Sequence, residues 1–280
     1  MVWRCRLLIA AAALAAGAAV GAAPQQATDD PQASPIWRKV QASLFEGRAV
    51  QPAPAGLLTL DVPSRATDAA MVPLAIRARL PPGSTRHVVK LYLLIDANPS
   101  PVAAIFQFGP RSGRTEVETR VRIDEYSFVR AIAETSDGQL YGVVRFVKAS
   151  GGCSAPAATD ASAAASALGR MQLRVDADAD GDAAGAQPVV AQLAISHPNH
   201  SGLAMDQATR QFTPAHYVRK VEVTYQGEPV FAADVDFSIS ENPNFRFYFV
   251  PRGSGELRAS VIDSHDRRFA AAQALPAPAR

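Results

Sequence analysis

The residue best suited to covalent chemistry is Cys153, in the run Val147-Lys-Ala-Ser-Gly-Gly-Cys-Ser-Ala-Pro156. A thiolate is the nucleophilic form, and at an ordinary pKa near 8.5 roughly a few per cent of a thiol is ionised at neutral pH. No cationic cluster in the adjacent sequence lowers that value, so activation has to come from a partner's site. Gly151 and Gly152 remove side-chain bulk and backbone restriction beside the sulfur. The pattern predicts an exposed, mobile arm hinged at these two glycines, reaching roughly 10–14 Å from the body. The alternative, a buried cysteine serving as a small hydrophobe, sits poorly with such a neighbourhood.

Other candidates are weaker. His197 and His200 stand three apart, a spacing two metal ligands can use, but no carboxylate or cysteine accompanies them and Pro198 makes the segment a turn; no metal is expected there. Asp176-x-Asp178-x-Asp180-Gly181-Asp182 mimics the start of a calcium loop, yet its twelfth position is Gln187 where a bidentate Glu is wanted. An acidic hairpin turn is the expectation, with calcium left open. No Ser-His-Asp, phosphate-loop or haem Cys-x-x-Cys-His arrangement occurs. A lone mobile thiol without a base or oxyanion site does not make an enzyme.

The start of the chain sets the compartment. Arg4 and Arg6 precede an apolar, Ala-dominated stretch from Leu7 to Ala23, and Val20-Gly21-Ala22 supplies small residues for cleavage. Residues 1–22 therefore read as a secretory signal, too short and too Ala-rich for a membrane anchor. Its removal takes Cys5 away and leaves Cys153 as the one thiol of an exported chain, where thiols are normally paired. The formal charge of +2 also loses Arg4 and Arg6. A near-neutral mature chain gives no electrostatic reason to expect nucleic acid or an anionic membrane as partner.

The elements that position the thiol are mostly strands. Ser34-Pro35 starts one short helix, with Ile36, Val40 and Leu44 on its apolar face and an end near Gly47. From Leu57 to Ala149 seven β-rich runs recur every 8–14 residues, the signature of an antiparallel immunoglobulin-like sandwich. The small-residue run 154–169 reads as a flexible linker, and a second β-rich block occupies 170–280. The fold class is all-β: two immunoglobulin-like β-sandwiches in tandem with a short N-terminal helix. The blocks also repeat. Val88–Leu93 lies on Val218–Val223 at an offset of 130, Val129–Gly138 on Leu257–Asp266 at 128, and an Asn-Pro step (Asn98-Pro99, Asn242-Pro243) falls between the matches in both.

Several of these segments resemble a known pair of proteins. Ala97–Ala103, Thr119–Arg122, Val129–Glu134 with Ser136-Asp137-Gly138, and Gly151-Gly152-Cys153 resemble SoxY, the sulfur-carrying subunit of the thiosulfate-oxidising system. Ile195–Gly202 and Ser238–Pro243 resemble its partner SoxZ. The nearest group is the fused SoxYZ-like carriers associated with quinoprotein dehydrogenases. The resemblance implies a SoxY-like sandwich over 34–153 ending in the Gly-Gly-Cys arm, a SoxZ-like sandwich over 170–280 paired with it, and a periplasmic, non-catalytic carrier without cofactor. In that picture Cys153 bears a covalent sulfur adduct and presents it to Sox-type cytochromes or a quinoprotein dehydrogenase. The alternative is a non-covalent accessory module for such a dehydrogenase or its cytochrome. Ser154 and Ala155 replace the glycines that follow the family's cysteine, and here the chain continues, so any partner must accept a doubled-over loop.

Overall fold

Ser34 caps the first helix as its sequence suggests: its hydroxyl accepts from the Trp37 amide at 3.2 Å, and α1 runs Pro35–Leu44. In this computed structural model, which describes residues 30–158, 161–176, 187–206 and 209–276, the buried face of α1 is set by Trp37 rather than Ile36. Trp37 packs with Phe45, Tyr92, Leu94, Ile132 and Leu140 in a small cluster, whereas Ile36 faces outward. The larger ring buries more apolar surface, and that decides the helix's rotation.

The first half supplies β1 (Val50–Pro52), β2 (Leu58–Asp61), β3 (Val72–Ala78), β4 (Val88–Ile95), β5 (Val102–Phe108), β6 (Thr115–Val121), β7 (Ser127–Thr135) and β8 (Leu140–Val147). A second helix, α2 (Ala161–Ala167), follows. The second half supplies β9 (Met171–Asp176), β10 (Val189–Ile195), β11 (Val218–Tyr225), β12 (Glu228–Val235), β13 (Asn244–Phe249), β14 (Gly255–Asp263) and β15 (Arg268–Leu275). Within the second β-rich block, Asp236–Ser240 is not a strand but a turn after β12, in which the Ile239 amide donates to the Asp236 carbonyl.

Two sheets face each other, and both run through both halves. One has the order β1-β8-β7-β4-β5-β12-β11-β14-β15, the other β2-β3-β6-β13-β10-β9. Read outward from the centre, the orders are two copies of one sandwich: β5, β4, β7, β8 on one side answer β12, β11, β14, β15 on the other. The repeat seen in the sequence is therefore real for β4 with β11 and β7 with β14. The Asn-Pro steps are not equivalent, since Asn98 follows β4 and Asn242 precedes β13.

The sandwiches join edge to edge through backbone pairing. Phe106 stands opposite Ala233 across β5–β12, and Val117 opposite Phe247 across β6–β13. Phe231 lies parallel to Phe247 at 4.9 Å and stacks on Phe106 at 5.9 Å, so a shared aromatic core fills the junction. Pairing these strands removes four exposed strand edges, which would otherwise recruit other chains.

The segment after the first sandwich is more ordered than its composition suggests. Ala161–Ala167 is helical, ending at Gly169 with φ +78 and its amide on the Ser196 carbonyl. Alanine is the best helix former, so an Ala-Ser run is a linker only where nothing stabilises it. Residues 1–22, expected to be a secretory signal, and most of Asp176–Asp182 lie outside the described residues.

Candidate functional site

Beyond β8 the chain turns sharply and is held on three sides. The Gly151 amide donates to the Asp124 carbonyl at 2.7 Å and the Gly152 amide to the Ile123 carbonyl at 3.0 Å. Gly151 has φ +80, a left-handed conformation glycine adopts without strain. Gly152 is required for a different reason: a Cβ there would lie 2.1 Å from the Ala69 carbonyl oxygen and 2.6 Å from that of Ile123. It is a close-approach glycine, not a hinge. The Cys153 amide then donates to Asp124 Oδ1 at 3.3 Å, and the Ser201 hydroxyl donates to the Cys153 carbonyl.

Cys153 is consequently buried, 1% exposed, and the expectation of an exposed, mobile thiol is corrected. The glycines that suggested freedom instead let the main chain press against Ala69 and Ile123. Burial, reinforced by the Asp124 carboxylate and opposed by Arg122, pushes the thiol up to about 12. In this closed turn the sulfur is protonated and unreactive.

Arg122 lies under the same turn. Its Nη1 donates to the Gly152 carbonyl at 3.3 Å, the residue is 4% exposed, and its buried Nε has no hydrogen-bond partner. Burial holds the guanidinium below its ordinary range, while Cys153, Glu241 and Asp68 oppose that shift. Asn98 ties the parts together: its Nδ2 donates to the Arg122 carbonyl and to Ser238 Oγ, both at 2.9 Å, and its Oδ1 accepts the Asp124 amide at 2.9 Å.

The profile of the sulfur oxidation protein SoxY matches residues 41–153, and that of the sulphur oxidation protein SoxZ matches 177–274. The chain belongs to the fused SoxY–SoxZ family. Its SoxY half ends on Cys153, and its SoxZ half begins beyond α2. Comparison with curated proteins returned no match. Among solved structures, the sulfur carrier protein SoxY from Chlorobium limicola f thiosulfatophilum is 24% identical over 41% of this chain and 91% of its own, with a TM-score of 0.35. A superoxide reductase (neelaredoxin) from Ignicoccus hospitalis is 11% identical over 40% of this chain and 89% of its own, with a TM-score of 0.29.

Within the SoxZ half, His197 and His200 do not act as a pair. His197 instead meets His216 and Asp263: His216 Nε2 lies 2.7 Å from Asp263 Oδ2 and His197 Nε2 lies 3.7 Å from it. The spacing would suit a cation, but the protonation pattern does not. His197 Nδ1 accepts the Asn199 amide at 3.1 Å, so the ring's one proton sits on Nε2, where a ligand would need a lone pair. Burial and the neighbouring His216 push His197 down to about 4. It is a neutral donor buried beside a carboxylate, and its orphan Nε2 reflects that geometry.

Sequence reasoning located Cys153 but missed its clamps. Asn98, Arg122 and Ser201 lie in segments that resemble SoxY or SoxZ, which is the only sequence signal they carry; Asp124 and Ala69 carry none. Of six large exposed hydrophobic side chains among the described residues, five (Met71, Tyr126, Leu203, Met205, Phe212) are carried by the three loops that touch the Cys153 turn.

Proposed function

We propose that the protein is an exported, periplasmic carrier that holds a sulfur intermediate on Cys153 and presents it to partner enzymes. The observation that carries this reading is that the Cys153 turn is held by loops alone. Asp124 contributes two hydrogen bonds to it, and Ile123, Ser201 and Arg122 one each. Each such bond contributes about 0.5–1.5 kcal/mol net, so the turn can open locally while both sheets stay paired. Opening returns the thiol to water and to an ordinary pKa. The exposed apolar side chains carried by the contacting loops offer contact surface to a partner enzyme, such as a Sox-type cytochrome or a quinoprotein dehydrogenase. Fusion keeps the SoxZ half permanently in place to supply Ser201.

The test is the mass of the Cys153 peptide from native-host protein, with and without dithiothreitol, together with the host phenotype of Cys153→Ser. A reductant-sensitive added mass and a failed pathway are expected. An unmodified peptide and a silent substitution would sink the reading. One observation favours a second reading, a non-covalent accessory module for a quinoprotein dehydrogenase or its cytochrome: a thiol buried and pushed up to about 12 is an inert one. That reading requires Cys153→Ser to leave partner binding intact.

A further inference from the structure

We propose that Arg122 is the specificity-determining cation of the Cys153 site, selecting sulfur groups that end in an anion. The inference rests on the carrier reading and adds the charge class of the cargo. Arg122 is 4% exposed, yet among the described residues no carboxylate lies within 4 Å of its guanidinium. Its one side-chain hydrogen bond goes to a neutral carbonyl, that of Gly152, the residue joined to Cys153, and Nε has none. Elsewhere in this protein a buried arginine is neutralised: Arg130 forks onto Asp96 through Nε at 2.8 Å and Nη2 at 2.6 Å.

A buried cation whose carboxylates, Glu241 and Asp68, act on it only from beyond contact distance is costly and gains from an anion that reaches its donors. The geometry shows which end of a cargo that would be. The guanidinium touches the main chain one residue before the sulfur, so a short anionic group extending from an uncovered Cys153 sulfur has Nε and Nη donors nearby. A planar, permanently charged fork suits a sulfonate-like terminus, which presents several equivalent oxygens. A neutral thioether or mixed disulfide would gain nothing from Arg122. Gly151, with its left-handed φ of +80, lets the turn lift while Arg122, on the segment directly after β6, stays with the body.

The test uses two thiol reagents that must both wait for the turn to open. Tetrathionate is dianionic; 4,4′-dithiodipyridine is neutral at pH 8. With tetrathionate the Cys153 thiolate, its proton lost to solvent, attacks a central sulfur. The reagent's central S–S bond breaks, thiosulfate leaves with the electron pair, and the Cys153 sulfur now carries an S–SO3− group, as Cys–S–S–SO3−. Rates are read on the Cys153 peptide in wild type, Arg122→Gln and Arg122→Lys. Because opening is common to both reagents, the ratio of the two rates isolates the charge effect. Arg122→Gln should lower the tetrathionate-to-neutral ratio by about tenfold or more, and Arg122→Lys should restore part of it. Should Arg122→Gln not fold, the wild-type ratio must still fall with ionic strength. A ratio unchanged in Arg122→Gln, or insensitive to salt, overturns the role of Arg122 while leaving a carrier of neutral cargo intact. Labelling by neither reagent overturns the carrier reading along with it.

Discussion

Ser201, in the SoxZ half, gives its hydroxyl hydrogen to the main-chain carbonyl of Cys153 at the end of the SoxY half. The same oxygen accepts the Leu203 amide at 3.1 Å, so the clamp is rigidly placed by its own loop. The fused partner therefore acts directly on the thiol's main chain. Removing the clamp should favour the open turn without disturbing either sheet. Ser201→Ala is expected to cost the closed state about 1 kcal/mol, which raises Cys153 labelling by a neutral disulfide roughly fivefold while the unfolding midpoint stays nearly fixed. Equal labelling rates in the two proteins would show that Ser201 does not hold the turn shut.

Gly152 offers a steric version of the same test. A methyl group at this position meets two carbonyl oxygens, at 2.1 and 2.6 Å, and backbone cannot swing aside as a side chain would. Gly152→Ala should force the turn away from Ala69 and Ile123, costing about 1–3 kcal/mol and speeding labelling roughly ten- to a hundredfold. Gly151→Ala meets nothing within 4 Å and suffers only its φ of +80, so its effect should be the smaller. The reverse order, measured by thiol-labelling kinetics, would mean the turn is governed by strain rather than contact.

His197 predicts an acid limb in stability. Its folded pKa of about 4 lies below the ordinary 6.5, because burial and His216 disfavour the charged ring. Between those values the unfolded chain binds more protons than the folded one, so stability falls as pH drops from 6.5 through about 4. His197→Gln keeps a side-chain donor but does not titrate. Chemical denaturation at several pH values should show the wild type losing stability across that window more steeply than His197→Gln. Parallel curves would assign the acid limb to other groups.

Much of the scaffold could be read directly from the chain. β4 coincides with the apolar run Val88–Ile95, because most of this central strand is covered on both faces and the run of apolar residues therefore marks the strand. The three-residue β1 had no such signal, since its pairing with β8 comes from tertiary placement. The site was legible only as a cysteine. Its burial depends on Ala69, Ile123, Asp124 and Ser201, spread over more than 130 positions, and no local pattern brings them together. The Gly-Gly step was read as mobility because composition cannot distinguish a glycine that must move from one that must fit.

The union of the two sandwiches makes the last prediction, and it concerns whether the halves are separable bodies. Phe231 in β12 is 2% exposed and its ring contacts Phe106 of the SoxY half and Phe245 and Phe247 of the SoxZ half. Truncation to alanine removes a ring from a core that both sheets close over, so Phe231→Ala should cost about 3–5 kcal/mol and lower the unfolding midpoint by roughly 6–20 °C. Trp37 reports on the far side of the SoxY half, where it packs with Phe45 at 6.3 Å and shares no contact cluster with Phe231. In a single cooperative unit the Trp37 fluorescence transition shifts with the far-ultraviolet circular dichroism transition, by the same amount. In two independent domains the dichroism splits and the Trp37 transition stays where it was. The continuous pairing of β5 with β12 and β6 with β13 requires the first outcome, because neither half can unfold without stripping two strands of their partners.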